Sequence, residues 1–252
     1  MSRKISDWGG NIVALILVIV VNALANILRF GGQTTGDVSN KYYSMFTPAG
    51  FTFTIWSLIY LLLAFFVVYQ SLPAQRNDER LARISPWFKA GCAANALWMF
   101  AWHLEWIGVA LLLMVVLLVS LVRIYQLLDI VDAAASAGQR WLAQLPFSIY
   151  LGWISVATIA NISALQAALG WNNAALEEVS WTLLKLAAAG ALGAIMTLRR
   201  HDVAFGLVVG WAAFGIGAGQ AATPAVAGAA FTLSLIILAI ASFEALNRVA
   251  SR

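Results

Sequence analysis

The chain has 252 residues, 62% of them hydrophobic and 10% charged, with a mean hydropathy of +0.84. Soluble domains carry about 25% charged residues, so the composition excludes an ordinary soluble protein and predicts an all-α, polytopic transmembrane helical bundle. The net charge of +4 is no indication of nucleic-acid binding, and Cys92, the single cysteine, has no partner for an internal disulfide and reads as a small hydrophobe.

About 20 apolar residues cross a bilayer, and on that ruler eight helices are predicted over 11–29, 51–71, 87–103, 107–127, 145–169, 181–198, 203–219 and 225–246. Residues 1–7 are short and basic, but the apolar run behind them reaches Phe30 without a small-residue cleavage site, so it reads as the first helix and not as a cleaved signal. That helix carries Asn22 and Asn26, an i, i+4 pair expected to face the bundle. The longest connection follows, with Gly31, Gly32, Pro48 and Gly50 breaking helix, and reads as a surface loop or a lid. The second helix contains Trp56 and Tyr60, again i, i+4. The charged stretch PAQRNDERLARIS after it is expected to lie in water.

The third helix places Asn95, Trp98 and Trp102 at i, i+3 and i+7. Trp98 is the pocket candidate there, while Trp102 and Trp106 are expected in an interfacial aromatic belt. His103 and Glu105 invite a metal or proton pair, but two residues apart on a helix they do not face each other. The fourth helix is nearly all Leu and Val and reads as lipid-facing. The fifth holds IYLGWISVATIAN, in which Tyr150, Trp153, Ala157 and Asn161 share one face, with Ser155 and Thr158 nearby. Polar groups facing lipid are costly, so this face points into protein, either as glue between helices or as an aromatic-walled ligand pocket. The last three helices are Ala- and Gly-rich, with Gly206/Gly210 and Gly215/Gly219 at a spacing that favours close helix packing. Lys185, inside the sixth helix, is expected to snorkel or to pair with Glu177 or Glu178.

With the N-terminus inside, all of the 15 Lys and Arg except Arg29, Lys41 and Lys185 fall on the cytoplasmic side of the eight helices. This predicts an integral membrane protein, of a bacterial inner or plasma membrane, with both termini cytoplasmic. Phosphate-binding loops, dinucleotide fingerprints, zinc-type His clusters and the Gly-x-Ser-x-Gly elbow are all missing from the sequence. No catalytic residues and no metal site are therefore expected, and the chain does not read as an enzyme. Its 11 Trp, with intramembrane Asn, Tyr and Ser, suit a large, flat, mostly apolar ligand.

Three stretches in register resemble the TspO/MBR family, the tryptophan-rich sensory or translocator proteins. They are TPAGFTFTIWSLIY at 47–60, NALW at 95–98 and YLGWISVATIAN at 150–161. The resemblance implies a five-helix bundle over residues 1–169 that encloses a pocket for a tetrapyrrole such as protoporphyrin IX or haem, with no required cofactor, and often a homodimer. Residues 170–252 would then be three additional helices. On the family's pattern fall Pro48, Trp56, Tyr60, Asn95, Trp98, Tyr150, Trp153 and Asn161. Trp56, Trp98 and Trp153 would be aromatic walls, Asn95 and Asn161 hydrogen-bond anchors, and the 31–50 loop a lid. Where the family has a double Pro and a following Trp, this chain has one Pro and Gly50. The sterol motif after the fifth helix is missing, since 162–180 holds neither Tyr nor a basic residue. The implied role is a receptor or translocator with a sensory or transport function. The alternatives are a transporter of another small apolar metabolite, or a membrane assembly or regulatory subunit.

Overall fold

In hydrocarbon, backbone N–H and C=O groups have no water to bond, so a chain this apolar must pair them within helices. The computed structural model describes residues 3–131, 134–171 and 177–250, with side chains as far as 248, and it is helical throughout, with no strand among the described residues. Arg252, which entered the charge count above, lies outside them. The elements are α1 (Ile5–Ile27), α2 (Thr35–Lys41), α3 (Ile55–Ser71), α4 (Glu79–His103), α5 (Ile107–Leu128), the one-turn α6 (Ala137–Gln139), α7 (Leu145–Ala168), α8 (Glu178–Arg199), α9 (Val203–Gly219) and α10 (Pro224–Ala250). A π turn at Arg140–Gln144 joins α6 to α7.

The predicted helices all form, and three boundaries teach something. α1 starts at Ile5, six residues early, because Arg3 is tucked into the bundle and donates to the Asp7 carboxylate (3.0 and 3.1 Å) and to the side-chain oxygen of Gln70 (2.9 Å). The charged stretch assigned to water is half helix: Asp78 caps α4 by accepting from the backbone N–H of Arg80 and Leu81, and Glu79–Ser85 are its first two turns. Leu81, Ile84 and Phe88 are buried there at i, i+3 and i+7, an apolar stripe that the surrounding charges hide from a hydropathy ruler. The long connection is not structureless either. Thr34 and Asp37 close a capping box that starts α2 inside it.

Among the described residues six stretches are long and apolar enough to cross a membrane: Ile5–Ile27, Gly50–Ser71, Ile107–Leu128, Ala137–Ala168, Glu178–Arg199 and Pro224–Arg248. The chain is an integral membrane protein. α9 is apolar but shorter, and α4 carries charges in its first half.

α1 packs on α3 and α4, α4 on α5, α5 on α7, and α3 closes back on α7. α9 lies against α7, and α8 and α10 pack on α9 and on each other. α5 is only partly lipid-facing: Ala110, Met114, Leu117, Leu121 and Ile124 are buried at helical spacing, while Leu112, Val115, Val116 and Val119 are exposed on the other faces. At the end of the bundle where α1 begins, Gln70 also accepts from Asn11 (2.9 Å), and Ser85 donates to Asn11 (2.9 Å). Arg3, Asn11, Gln70 and Ser85 are all buried, so every one of these polar groups needs the partner it has.

Candidate functional site

α1, α3, α4 and α7 meet at Asn95. Its amide donates to the Tyr150 hydroxyl at 2.6 Å, and its oxygen accepts from the Asn22 amide at 3.0 Å and from the Tyr60 hydroxyl at 3.5 Å. Asn95 is 1% exposed and Tyr150 5%, so the hub is closed to water. Around it, Trp56 stacks on Tyr60 (5.6 Å between ring centroids) and meets Tyr150 (5.9 Å) and Trp153 (6.2 Å) edge to face. Phe53 caps Trp153 from the other side at 6.0 Å. The spacing that puts Trp56 and Tyr60 on one face of α3, and Tyr150 and Trp153 on one face of α7, is what lets four rings converge. The Trp153 Nε1–H is buried and has no hydrogen-bond partner, which makes it the unpaired donor of the cluster.

One turn along α4, Trp98 donates from Nε1 to the Asn161 side-chain oxygen at 3.0 Å, and Asn161 donates back to its own helix at the Ala157 carbonyl. Trp98 stacks on Trp102 at 5.3 Å. Trp102, expected in an interfacial belt, is instead 5% exposed and donates to the Thr35 carbonyl at 3.1 Å. It was misread because α2 covers it, and sequence depth alone does not reveal a covering element. Trp106 is exposed, as a belt residue would be.

Of the eight site residues read from the sequence, Trp56, Tyr60, Asn95, Tyr150 and Trp153 thus form one cluster, and Trp98 and Asn161 a second, adjacent one. Pro48 joins neither. It packs with Thr47 and Ala49 on α9, where a Cβ on Gly219 would lie 2.9 Å from the Ala49 nitrogen and 3.0 Å from the Thr47 oxygen. Ala49 N–H donates to the Gly215 carbonyl (2.9 Å), Gln220 donates to the Thr47 carbonyl (3.2 Å), Tyr43 donates to Gln220 (2.7 Å), and Trp211 donates to the Thr52 carbonyl (3.1 Å). Small residues on α9 therefore seat the lead-in to α3. Ser155 and Thr158 give their hydroxyls to carbonyls one turn back on α7, at Leu151 and Ile154, and bridge no helices.

The front of the 31–50 segment is fastened to the α4–α5 corner. Glu105 accepts from Lys41 (2.6 and 2.7 Å), from the Tyr42 hydroxyl (2.6 Å) and from Gln33 (3.0 Å). The hydrogen bond from Lys41, then those from Tyr42 and Gln33, hold the Glu105 carboxyl down at about 2. Gly31 (φ +69°) passes the His103 carbonyl so closely that a Cβ would come within 2.6 Å of it. His103 itself is turned away from Glu105, with Nδ1 2.8 Å from the Met99 carbonyl. Among the described residues no group of three or more His, Cys, Asp or Glu is placed to hold a metal.

The cavity adjoining the Asn95 cluster, between Leu15, Leu63, Phe88, Cys92, Leu117 and Tyr150, has room for about one water molecule. A flat polycyclic ligand needs a site of roughly 300–1,000 Å³. The cluster offers aromatic faces and a spare indole donor.

The family model described as TSPO-like protein matches residues 7–243, running through the first five long helices and on into α10. No curated protein and no solved structure matches. With the Asn95–Tyr150 hub, the Trp98–Asn161 pair and a helical membrane fold already in place, that match means the chain belongs to the TSPO-like family.

Proposed function

We propose that this is a receptor- or translocator-type membrane protein that takes a large, flat, apolar ligand, a tetrapyrrole such as protoporphyrin IX or haem, into the cluster around Asn95. The observation that carries the reading is the buried, unpartnered Nε1–H of Trp153 at the centre of converging aromatic rings. Trp56 and Trp153 supply faces for the macrocycle, Trp153 an N–H donor, and Asn95 and Tyr150 polar groups that exchange one another for the ligand. The role is binding for sensing or transport, not catalysis. On this reading α4 and the shorter α9 cross the bilayer together with the six long apolar stretches, both termini lie on the cytoplasmic side, and the resemblance implies a homodimer.

Tryptophan quenching of the purified protein by protoporphyrin IX tests this, beside the double variant Trp153→Ala, Asn161→Ala. Saturable quenching that the variant loses is expected. Linear quenching of equal slope in both proteins would mean simple partitioning into detergent and would sink the proposal. The hydrogen bonds that Asn95 and Asn161 make to other helices of the protein support the competing reading of an assembly or regulatory subunit, in which these residues are glue. Under it the variant loses thermal stability while porphyrin quenching is unchanged.

A further inference from the structure

Lys185 is the cation set well inside one of the apolar spans. It lies seven residues past Glu178, the first residue of α8, about 10 Å along the axis. An ammonium at that depth needs a partner or marks a site. The expected carboxylate partner is not the one it takes. Glu178, on the same side of α8, acts on it only at longer range and accepts instead from the Met45 N–H at 3.2 Å. The Lys185 ammonium is drawn up to the end of α7, where Nζ donates to the Gln166 side-chain oxygen at 2.6 Å. That oxygen is neutral. Among the described residues the ammonium has no carboxylate in contact, and two of its three hydrogens have no acceptor; the Gln166 amide hydrogens have none either.

The surroundings narrow what could supply those acceptors. Trp181, one turn from Lys185 on α8, meets Trp171 edge to face at 6.2 Å, the placement of aromatic residues at a headgroup boundary. Ile162 and Leu169, one turn to either side of Gln166, and Leu192, two turns below Lys185, are exposed. α7 and α8 touch only lightly compared with the neighbours of each. Two charge-complementary donors at the level of a helix end, above an apolar stripe, match a molecule with an anionic oxygen head and a hydrocarbon tail.

We propose that Lys185 and Gln166 form a binding site, separate from the Asn95 cluster, for the anionic head of a membrane amphiphile. A carboxylate or phosphate oxygen accepts from the ammonium and the amide, and the acyl chain lies along Ile162 and Leu192. The carboxylate of a fatty acid and the phosphate of an acidic phospholipid present the same chemistry, and the test separates them.

The protein is placed in phosphatidylcholine nanodiscs and titrated with spin-labelled stearic acid in one arm and spin-labelled phosphatidylglycerol in the other. The motionally restricted fraction of the spin signal is read against labelled phosphatidylcholine. Saturable restriction is expected, weakened about tenfold or more in Lys185→Met and kept in Lys185→Arg. Saturation by the fatty acid alone assigns a carboxylate ligand, and saturation by the phospholipid alone a phosphate. Equal restriction in wild type and Lys185→Met in both arms overturns the site. If Lys185→Met does not fold, Gln166→Leu decides: weakened restriction supports the site, and unchanged restriction overturns it.

Discussion

Between α1, α3, α4 and α7 the interior is occupied by rings and amides, whereas between α8, α9 and α10 aliphatic and Thr side chains are seated directly on glycine backbone. In the first region Trp56, Tyr60, Tyr150 and Trp153 lean on one another around Asn95. In the second, a Cβ on Gly206 would fall 2.2 Å from the Thr197 hydroxyl oxygen and one on Gly193 3.0 Å from Val209, so the helices close up where side chains are missing. Rings turn about χ angles at modest cost, while a glycine that a neighbouring side chain is seated on has no χ angle to turn. Under the proposed function a ligand would displace side chains in the first region, with α9 as the fixed wall, because α9 seats both α7 and the lead-in to α3.

The comparison breaks most sharply at Gly219. An added methyl there meets the backbone at Ala49 and Thr47, and neither side can give. Gly219→Ala is expected to lower stability by about 1–3 kcal/mol, the range for overpacking, and to speed hydrogen exchange across residues 43–52; unchanged exchange would show that the seat is loose. Asn95→Ala comes next. It takes the buried Tyr150 hydroxyl's donor away, at a cost of about 1–2 kcal/mol, while the Asn22 amide keeps its bond to the Val18 carbonyl. Interhelical hydrogen bonds in bilayers average only about 0.6 kcal/mol, which is why the effect ranks below the glycine. Thermal unfolding in detergent measures both variants.

Glu105→Gln removes the charge that holds Lys41 and Tyr42 and is expected to speed amide exchange in α2 and the residues just after it. The Glu105 carboxyl is held down at about 2, below its value in the unfolded chain. The ionised latch is therefore fully present above the ordinary carboxylate range and is lost only as pH falls through about 2. Exchange in this stretch, corrected for intrinsic rate, should be the same at about pH 5 and about pH 8 in the wild type. A rise between them would contradict the geometry. The smallest effect is expected at Ser155→Ala, within about 0.5 kcal/mol, since that hydroxyl serves only its own helix.

How far the sequence discloses this arrangement depends on the range of the interaction. The face of α7 with Tyr150, Trp153 and Asn161 is visible because a 3.6-residue period is local. That Asn95 chooses Tyr150, and Trp98 chooses Asn161, is not visible, since many helix orientations satisfy the same periods. The first turns of α4 were hidden by charge: Arg80 and Arg83 flank Leu81 and Ile84, and an averaging window sees only the sum. Pro48 is grouped with the pocket only by the family's pattern. Its neighbour in space is Gly219, and nothing in the chemistry of either residue announces the other.

The bond from Ala49 to Gly215 spans 166 positions of the chain, and this separation sets an order of events during biosynthesis. At roughly 5–20 residues per second, Gly215 leaves the ribosome about 8–30 s after Ala49. For that interval the lead-in to α3 has been made and its seat has not, so the Ala49 N–H and the Thr47 and Thr52 carbonyls wait for the partners that α9 brings.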